Sequence, residues 1–187
     1  MVRIITAVAT EPLTLAYVRQ HLRLPDDPAE ADQLLGLIRT ARVYCENHTR
    51  RALAEQTLET YYDRFPGSGP IALPCPPLVS VVEIGYTDSA GLETILPAAD
   101  YLVDTMCEPG RVLPAYGMSW PVFTPHPTAA VRIRFVAGFT DLPEPIRQAL
   151  LLLVGHWYEN REATGTAKEL TAFSVHALLA PYRVEVF

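Results

Sequence analysis

Val131-Arg132-Ile133-Arg134-Phe135 alternates apolar and basic side chains. A few residues later the rhythm changes, because Ile146, Ala149, Leu150, Leu153, Val154 and Trp157 recur at spacings of three and four. A period of two is a half-buried strand, and a period near 3.6 is one face of a helix. The prolines at 143 and 145 sit where the first turn of that helix falls, a place where a missing N–H costs nothing. Helical stretches before and after a β-rich middle set the class as α+β. Leu151, Leu152 and Tyr158 widen the stripe, so the helix is apolar nearly all round. Such a helix is either central to a core or shared with a neighbouring subunit.

Working toward the N-terminus, 13 of the 17 prolines lie between residues 66 and 145. Proline fixes φ and removes a donor, so this stretch holds strands and loops rather than long helices. Strands are expected at 56–62, 71–73, 79–86, 92–96, 101–104 and 110–113, with a hairpin turn at Asp88-Ser89-Ala90-Gly91. Before them lie two helices. One starts after Thr14, a candidate N-cap, and ends at Leu24-Pro25. The other runs over about 29–50 with Leu34, Leu35, Ile38, Ala41, Val43 and Cys45 on its apolar side.

On the C-terminal side, residues 163–168 are small and polar, the composition of a tether. Apolar character then returns at Leu178, Leu179, Tyr182, Val184, Val186 and Phe187, and the final Val-Glu-Val-Phe has strand-like alternation. The architecture expected is an α-helical bundle with helices at about 14–52 and 143–162. A proline-rich β insertion at about 56–138 and an extended C-terminal arm at about 168–187 complete a single domain of 187 residues.

Composition excludes several classes. Net charge is −6, against a basic nucleic-acid-binding surface. Apolar residues make up 49% and charged residues 19%, a globular balance. No apolar run is long enough to span a bilayer. The run at 4–9 is shorter than a signal-peptide core and reads as a mature N-terminus. Cys45, Cys75 and Cys107 form no CxxC pair, which suggests neither a zinc site nor a disulfide framework. A reducing compartment is the simplest inference. Of the 15 basic residues only Lys168 is lysine, a bias that reflects a GC-rich genome more often than a function.

Candidate chemistry is sparse. Of His21, His48, His126, His156 and His176, only His156 has a helical companion, Glu159, and a third metal ligand at defined spacing is missing. Ser119, Ser174 and Cys107 sit in no nucleophile elbow. Gly67-Ser68-Gly69 precedes proline rather than a lysine-bearing helix, so it is no phosphate loop. Asp26 and Asp27 share a loop between helices and lack the opposed environments of an acid/base pair. Arg132 and Arg134 fit a grip on a phosphate backbone or, more commonly, a solvated strand face. Trp120 fits a carbohydrate platform or, more commonly, a plug beneath a long loop. The residues therefore give no catalytic, metal or cofactor site. A carbohydrate- or surface-binding module around Trp120 and a small metal hydrolase around His156 remain as alternatives.

The order of features is more specific than any one of them. Residues 15–24 (LAYVRQHLRL), 46–57 (ENHTRRALAEQT), 73–82 (LPCPPLVSVV) and 84–91 (IGYTDSAG) come first. Tyr101-Leu102-Val103-Asp104, Pro109-Gly110-Arg111, Trp120-Pro121, 131–138 (VRIRFVAG), 143–162 (PEPIRQALLLLVGHWYENRE) and 178–183 (LLAPYR) follow. This series, over most of the chain, resembles the head–tail connector (adaptor, or head-completion) family of tailed bacteriophages, which includes gene transfer agents. One departure is His48-Thr49-Arg50, where the family usually has glycine after the threonine.

The resemblance implies a structural virion protein made in the host bacterial cytoplasm, without catalysis or cofactor. It implies a homo-oligomeric ring, usually twelve-fold, between the portal protein and a stopper or tail-completion protein. DNA would pass through the central channel without sequence-specific binding, and no membrane is involved. On this reading Ile146, Leu150, Leu152, Leu153, Trp157 and Tyr158 are the expected subunit-interface residues. Leu178, Leu179, Tyr182, Arg183, Val184, Val186 and Phe187 are the expected portal-binding residues, on an arm loosely held in the isolated protein.

Overall fold

Val131, Ile133, Phe135 and Ala137 are fully buried, while Arg132, Arg134 and Val136 between them are half-buried. That alternation makes the strand Val131–Ala137 the centre of a sheet rather than an edge. In the computed structural model, which describes residues 2–160 and 167–185, the chain divides into two compact units.

The first unit comprises Met1–Ala9 and Glu55–Phe139. Its strands are β1 (Val2–Thr6), β2 (Gln56–Tyr62), β3 (Ile71–Ala72), β4 (Leu78–Thr87), β5 (Glu93–Leu96), β6 (Tyr101–Asp104), β7 (Arg111–Pro114) and β8 (Val131–Ala137). They form a five-stranded sheet in the order β1-β2-β8-β4-β5 and a three-stranded sheet in the order β3-β7-β6. Every pairing is antiparallel. The registers Leu58↔Phe135 and Thr60↔Ile133 on one side, and Val81↔Phe135 and Ile84↔Ile133 on the other, line up the buried face across the sheet. β4 slips register between Leu78 and Ser80 and again between Val81 and Glu83, which leaves Val82 exposed.

Local chemistry explains the turns. Asp88 accepts the N–H groups of Ala90 and Leu92 on Oδ1, and Gly91 takes φ +83° to close the hairpin. Gly110, just before β7, has no room for a side chain, because a Cβ there would lie 2.5 Å from the Cβ of Leu78. The long loop after β7 is anchored by rings. Trp120 stacks on Phe65 at 4.9 Å, Phe123 packs at 4.9 Å from Tyr86, and Trp120 Nε1 donates to the Gly69 carbonyl.

The second unit comprises Thr10–Ala54 and Thr140–Phe187. It contains α1 (Leu15–Leu22), α2 (Ala31–Thr49), α3 (Glu144–Glu159) and α4 (Ala167–Leu179), with 3₁₀ turns at Pro28–Glu30 and Ala180–Tyr182. Thr14 caps α1 by accepting the Tyr17 N–H, and Arg23 ends it in the left-handed conformation. Arg50 ends α2 in the same way, with φ +59°. Glycine is the residue best suited to that conformation, and here an arginine bears its steric cost.

The core of this unit is Leu13 and Val18, then Leu34, Ile38, Ala41 and Cys45 from α2. Ile146, Ala149, Leu150, Leu151, Leu153 and Val154 from α3, and Val175 and Leu179 from α4, complete it. Burial pushes the Cys45 thiol up to about 12, so it is a packing residue rather than a nucleophile. Arg42 fastens the segment before α1 to α2, donating from Nε to Glu11 at 2.8 Å and from its terminal nitrogen to Glu46 at 2.7 Å.

The expected extended C-terminal arm is corrected here, since Ala167–Leu179 is helical and Ala180–Tyr182 is a 3₁₀ turn. The physical reason is that Val175 and Leu179, four residues apart, both find the core. Val184 and Glu185 belong to no strand, and Val186 and Phe187 lie outside the described residues. β1 is the converse case, a strand where only a short apolar run had been noted.

Candidate assembly surfaces

One face of the larger sheet is charged and tied together by ion pairs. β8 presents Arg132 and Arg134, β2 presents Glu59, and β4 and β5 present Glu83 and Glu93. Arg132 reaches Glu83 at 2.6 Å, Glu93 at 2.8 Å and Glu59 at 3.2 Å. Arg134 reaches Glu59 at 2.6 Å and Glu83 at 3.2 Å. Tyr61 donates its hydroxyl to Glu59 at 2.6 Å. Burial raises the Glu59 carboxyl, but the Tyr61 hydroxyl and the two guanidinium groups outweigh it and hold the group below the usual carboxylate range. For Arg132 burial disfavours the charge, and Glu83 and Glu93 reverse that, so the group is raised. Neither sequence-level reading of these arginines holds. Their charge is committed to carboxylates inside the sheet, neither free for a phosphate backbone nor simply solvated.

Trp120 is buried at 4% exposure with its N–H bonded, so it is a plug and not a platform. Beside it Phe65, Pro66, Pro121, Phe123, Pro125 and Pro127 help line a shallow cleft of about 420 Å³. His156 is half-buried, with Asn160 Nδ2 3.4 Å from its Nδ1, and Glu159 is exposed. Among the described residues no three His, Cys, Asp or Glu side chains gather to hold a metal.

The expected subunit-interface residues divide into two groups. Ile146, Leu150 and Leu153 are buried in the core of the helical unit and are corrected to core residues. Leu152, Trp157 and Tyr158 are only half-buried and remain at the surface. Trp157 meets Tyr44 of α2 edge to face at 6.2 Å, and Tyr158 donates its hydroxyl to Glu30 at 2.9 Å. A helix that is apolar all round has thus spent most of its surface inside its own unit.

The expected portal-binding residues are likewise better anchored than a loose arm. Leu179 is fully buried, while Leu178 and Tyr182 are half-buried. Arg51 Nε donates to the Tyr182 carbonyl at 2.6 Å, and the Val184 N–H donates to the Thr49 carbonyl at 2.9 Å. Arg183 is exposed, Val184 is half-buried, and Val186 and Phe187 lie outside the described residues. Nearby, His48 of α2 stacks on His176 of α4 at 4.8 Å, and the Tyr44 hydroxyl lies 3.2 Å from His176 Nε2. Burial, His176 and Arg183 all lower the His48 imidazole.

Several exposed apolar side chains had no role in the sequence reading. Ile4 of β1 is 60% exposed, and Met106, Tyr116 and Val122 stand almost fully in solvent on loops of the β unit. Phe173 of α4 is exposed as well.

No family model matches the chain, and no curated relative does. Solved structures do. A chain in the neck of an empty gene transfer agent particle, computed with C6 symmetry, superposes with a TM-score of 0.81 at 29% identity. A chain in the virion of a native gene transfer agent particle gives 0.80 at 30%, and one in a native neck computed with C12 symmetry gives 0.78 at 29%. Each comparison covers 100% of this chain and 97% of the other. With fold, full length and identity in agreement, this chain belongs to the head–tail connector family of tailed bacteriophages and gene transfer agents, a family of structural virion proteins rather than enzymes.

Proposed function

We propose that this protein is the adaptor of a virion neck: a ring, twelve-fold in symmetry, seated between the portal protein and a stopper or tail-completion protein, with DNA passing through its centre. The full-length likeness to neck chains carries this reading, and the C6 and C12 symmetry of those necks supports a closed ring. The charge pattern agrees. The protein is net negative, and Arg132 and Arg134 are already paired with carboxylates, which agrees with a channel that does not grip a passing polyanion.

Subunit contacts on the helical unit fall to Leu152, Trp157 and Tyr158, with Tyr44 beside them. The portal-facing contacts fall to Leu178, Tyr182, Arg183 and Val184, together with Val186 and Phe187. Mixing purified protein with purified portal and imaging the product tests the proposal. A ring stacked on the portal is expected, and Leu152→Asp should leave a folded subunit that adds to portals poorly. Wild-type protein that ignores the portal while capping some other component would overturn it.

A further inference from the structure

Among the described residues the five-stranded sheet ends in two unlike free edges. At one edge β1 pairs only with β2, and every residue of β1 is exposed. Val2, Ile4 and Ile5 are β-branched, and Arg3 is the one charge among Val2–Thr6. There is no proline and no lysine to blunt the strand, and its one irregularity falls after Ile4. Ile4 is 60% exposed although its cross-strand partner Leu58 is buried. The apolar face of the sheet therefore runs on past its last strand into solvent. At the other edge β5 pairs only with β4. Glu93, Thr94 and Ile95 are exposed there, with Leu92 just before them 66% exposed.

Open edges of this kind are templates for pairing with another chain, and proteins normally cover or charge them. A closed ring needs the opposite of a self-matching patch. Each copy must offer two different surfaces, one complementary to the other. This sheet has such a pair. Each of its neighbouring strands is antiparallel to the next, so β1 and β5 run in the same direction. A second copy rotated about a ring axis therefore brings its β1 alongside β5 in parallel. Their lengths match, at 5 and 4 residues, and Arg3 and Glu93 carry opposite charges.

We infer that β1 of one copy adds to the β5 edge of the next, so that the sheets of successive subunits join around the ring. Backbone hydrogen bonds provide the attachment, and Ile4, on the same face of the sheet as Thr94 and Leu96, provides the apolar contact. This rests on the ring proposed above.

Cysteine pairs test it directly. In a chain with Cys75→Ser and Cys107→Ser, Ile4→Cys is combined with Thr94→Cys, which lies on the same face of the sheet, and rings assembled on portals are oxidised. A ladder of covalent multimers is expected from the double variant and not from the single ones. Ile4→Lys, at an exposed site, should keep the subunit's circular dichroism and melting temperature while lowering ring yield by at least about tenfold. Rings that form normally, give no ladder from the Ile4–Thr94 pair and tolerate Ile4→Lys would overturn the inference. So would dimers formed by Ile4→Cys alone, which would mean that β1 meets β1. If unmodified protein forms no ring on portals, the ring reading fails first and this pairing fails with it.

Discussion

Leu179 ends α4 with no exposed surface, one turn after the equally buried Val175. Beyond it, Arg51 Nε holds the Tyr182 carbonyl at 2.6 Å and Thr49 holds the Val184 N–H at 2.9 Å. Replacing Leu179 by alanine removes three buried carbons and leaves a void between α4 and the core. Buried Leu→Ala changes cost about 2–5 kcal/mol, and we expect about 3 because the site lies near the end of its helix. For a chain of this size that lowers Tm by roughly 6–12 °C, at about 2–4 °C per kcal/mol. The matched control is Leu178→Ala. Leu178 is only half-buried, and its loss should cost under about 1 kcal/mol. Both variants can be measured as isolated subunits by urea unfolding followed by circular dichroism, with unchanged m-values confirming that the folded state is the same. A Leu179→Ala change below about 0.5 kcal/mol, the scatter of ordinary surface substitutions, would refute the reasoning. The C-terminal segment would then be a tail held elsewhere and not part of the helical core.

Arg50→Gly should raise stability by about 1 kcal/mol, because φ +59° strains an arginine and not a glycine; calorimetry of the pair reads the shift. Gly110→Ala should destabilise by about 1–3 kcal/mol, since its Cβ would collide with Leu78, and denaturant midpoints check this. Glu59 is depressed in the folded protein, so its contribution is complete above the usual carboxylate value and is lost as pH falls through the lower folded value. Glu59→Gln should therefore lower stability at neutral pH and flatten the acid limb of the stability curve below the usual carboxylate range. An acid limb unchanged by the substitution would remove Glu59 from the account.

Short-range patterns in the chain were enough for much of the fold. The alternation around Ile133, the stripe from Ile146 to Trp157 and the cap at Thr14 depend on neighbours a few residues away, so each could be read in place. The ordered series of such pieces pointed to the connector family, and the structural likeness agrees with it. What could not be read is whatever depends on distant partners. Arg132 meets carboxylates 39, 49 and 73 residues away, so the chain alone does not tell a paired arginine from a solvated one. β1 is a strand because Ile4 lies opposite Leu58, and no turn signal precedes it. α4 is a helix because Val175 and Leu179 find the core, although the stretch before it reads as a tether. The same holds for α3. Sequence showed that it is apolar nearly all round, and only tertiary packing decided that Ile146, Leu150 and Leu153 are enclosed by their own unit while Leu152, Trp157 and Tyr158 stay half-exposed.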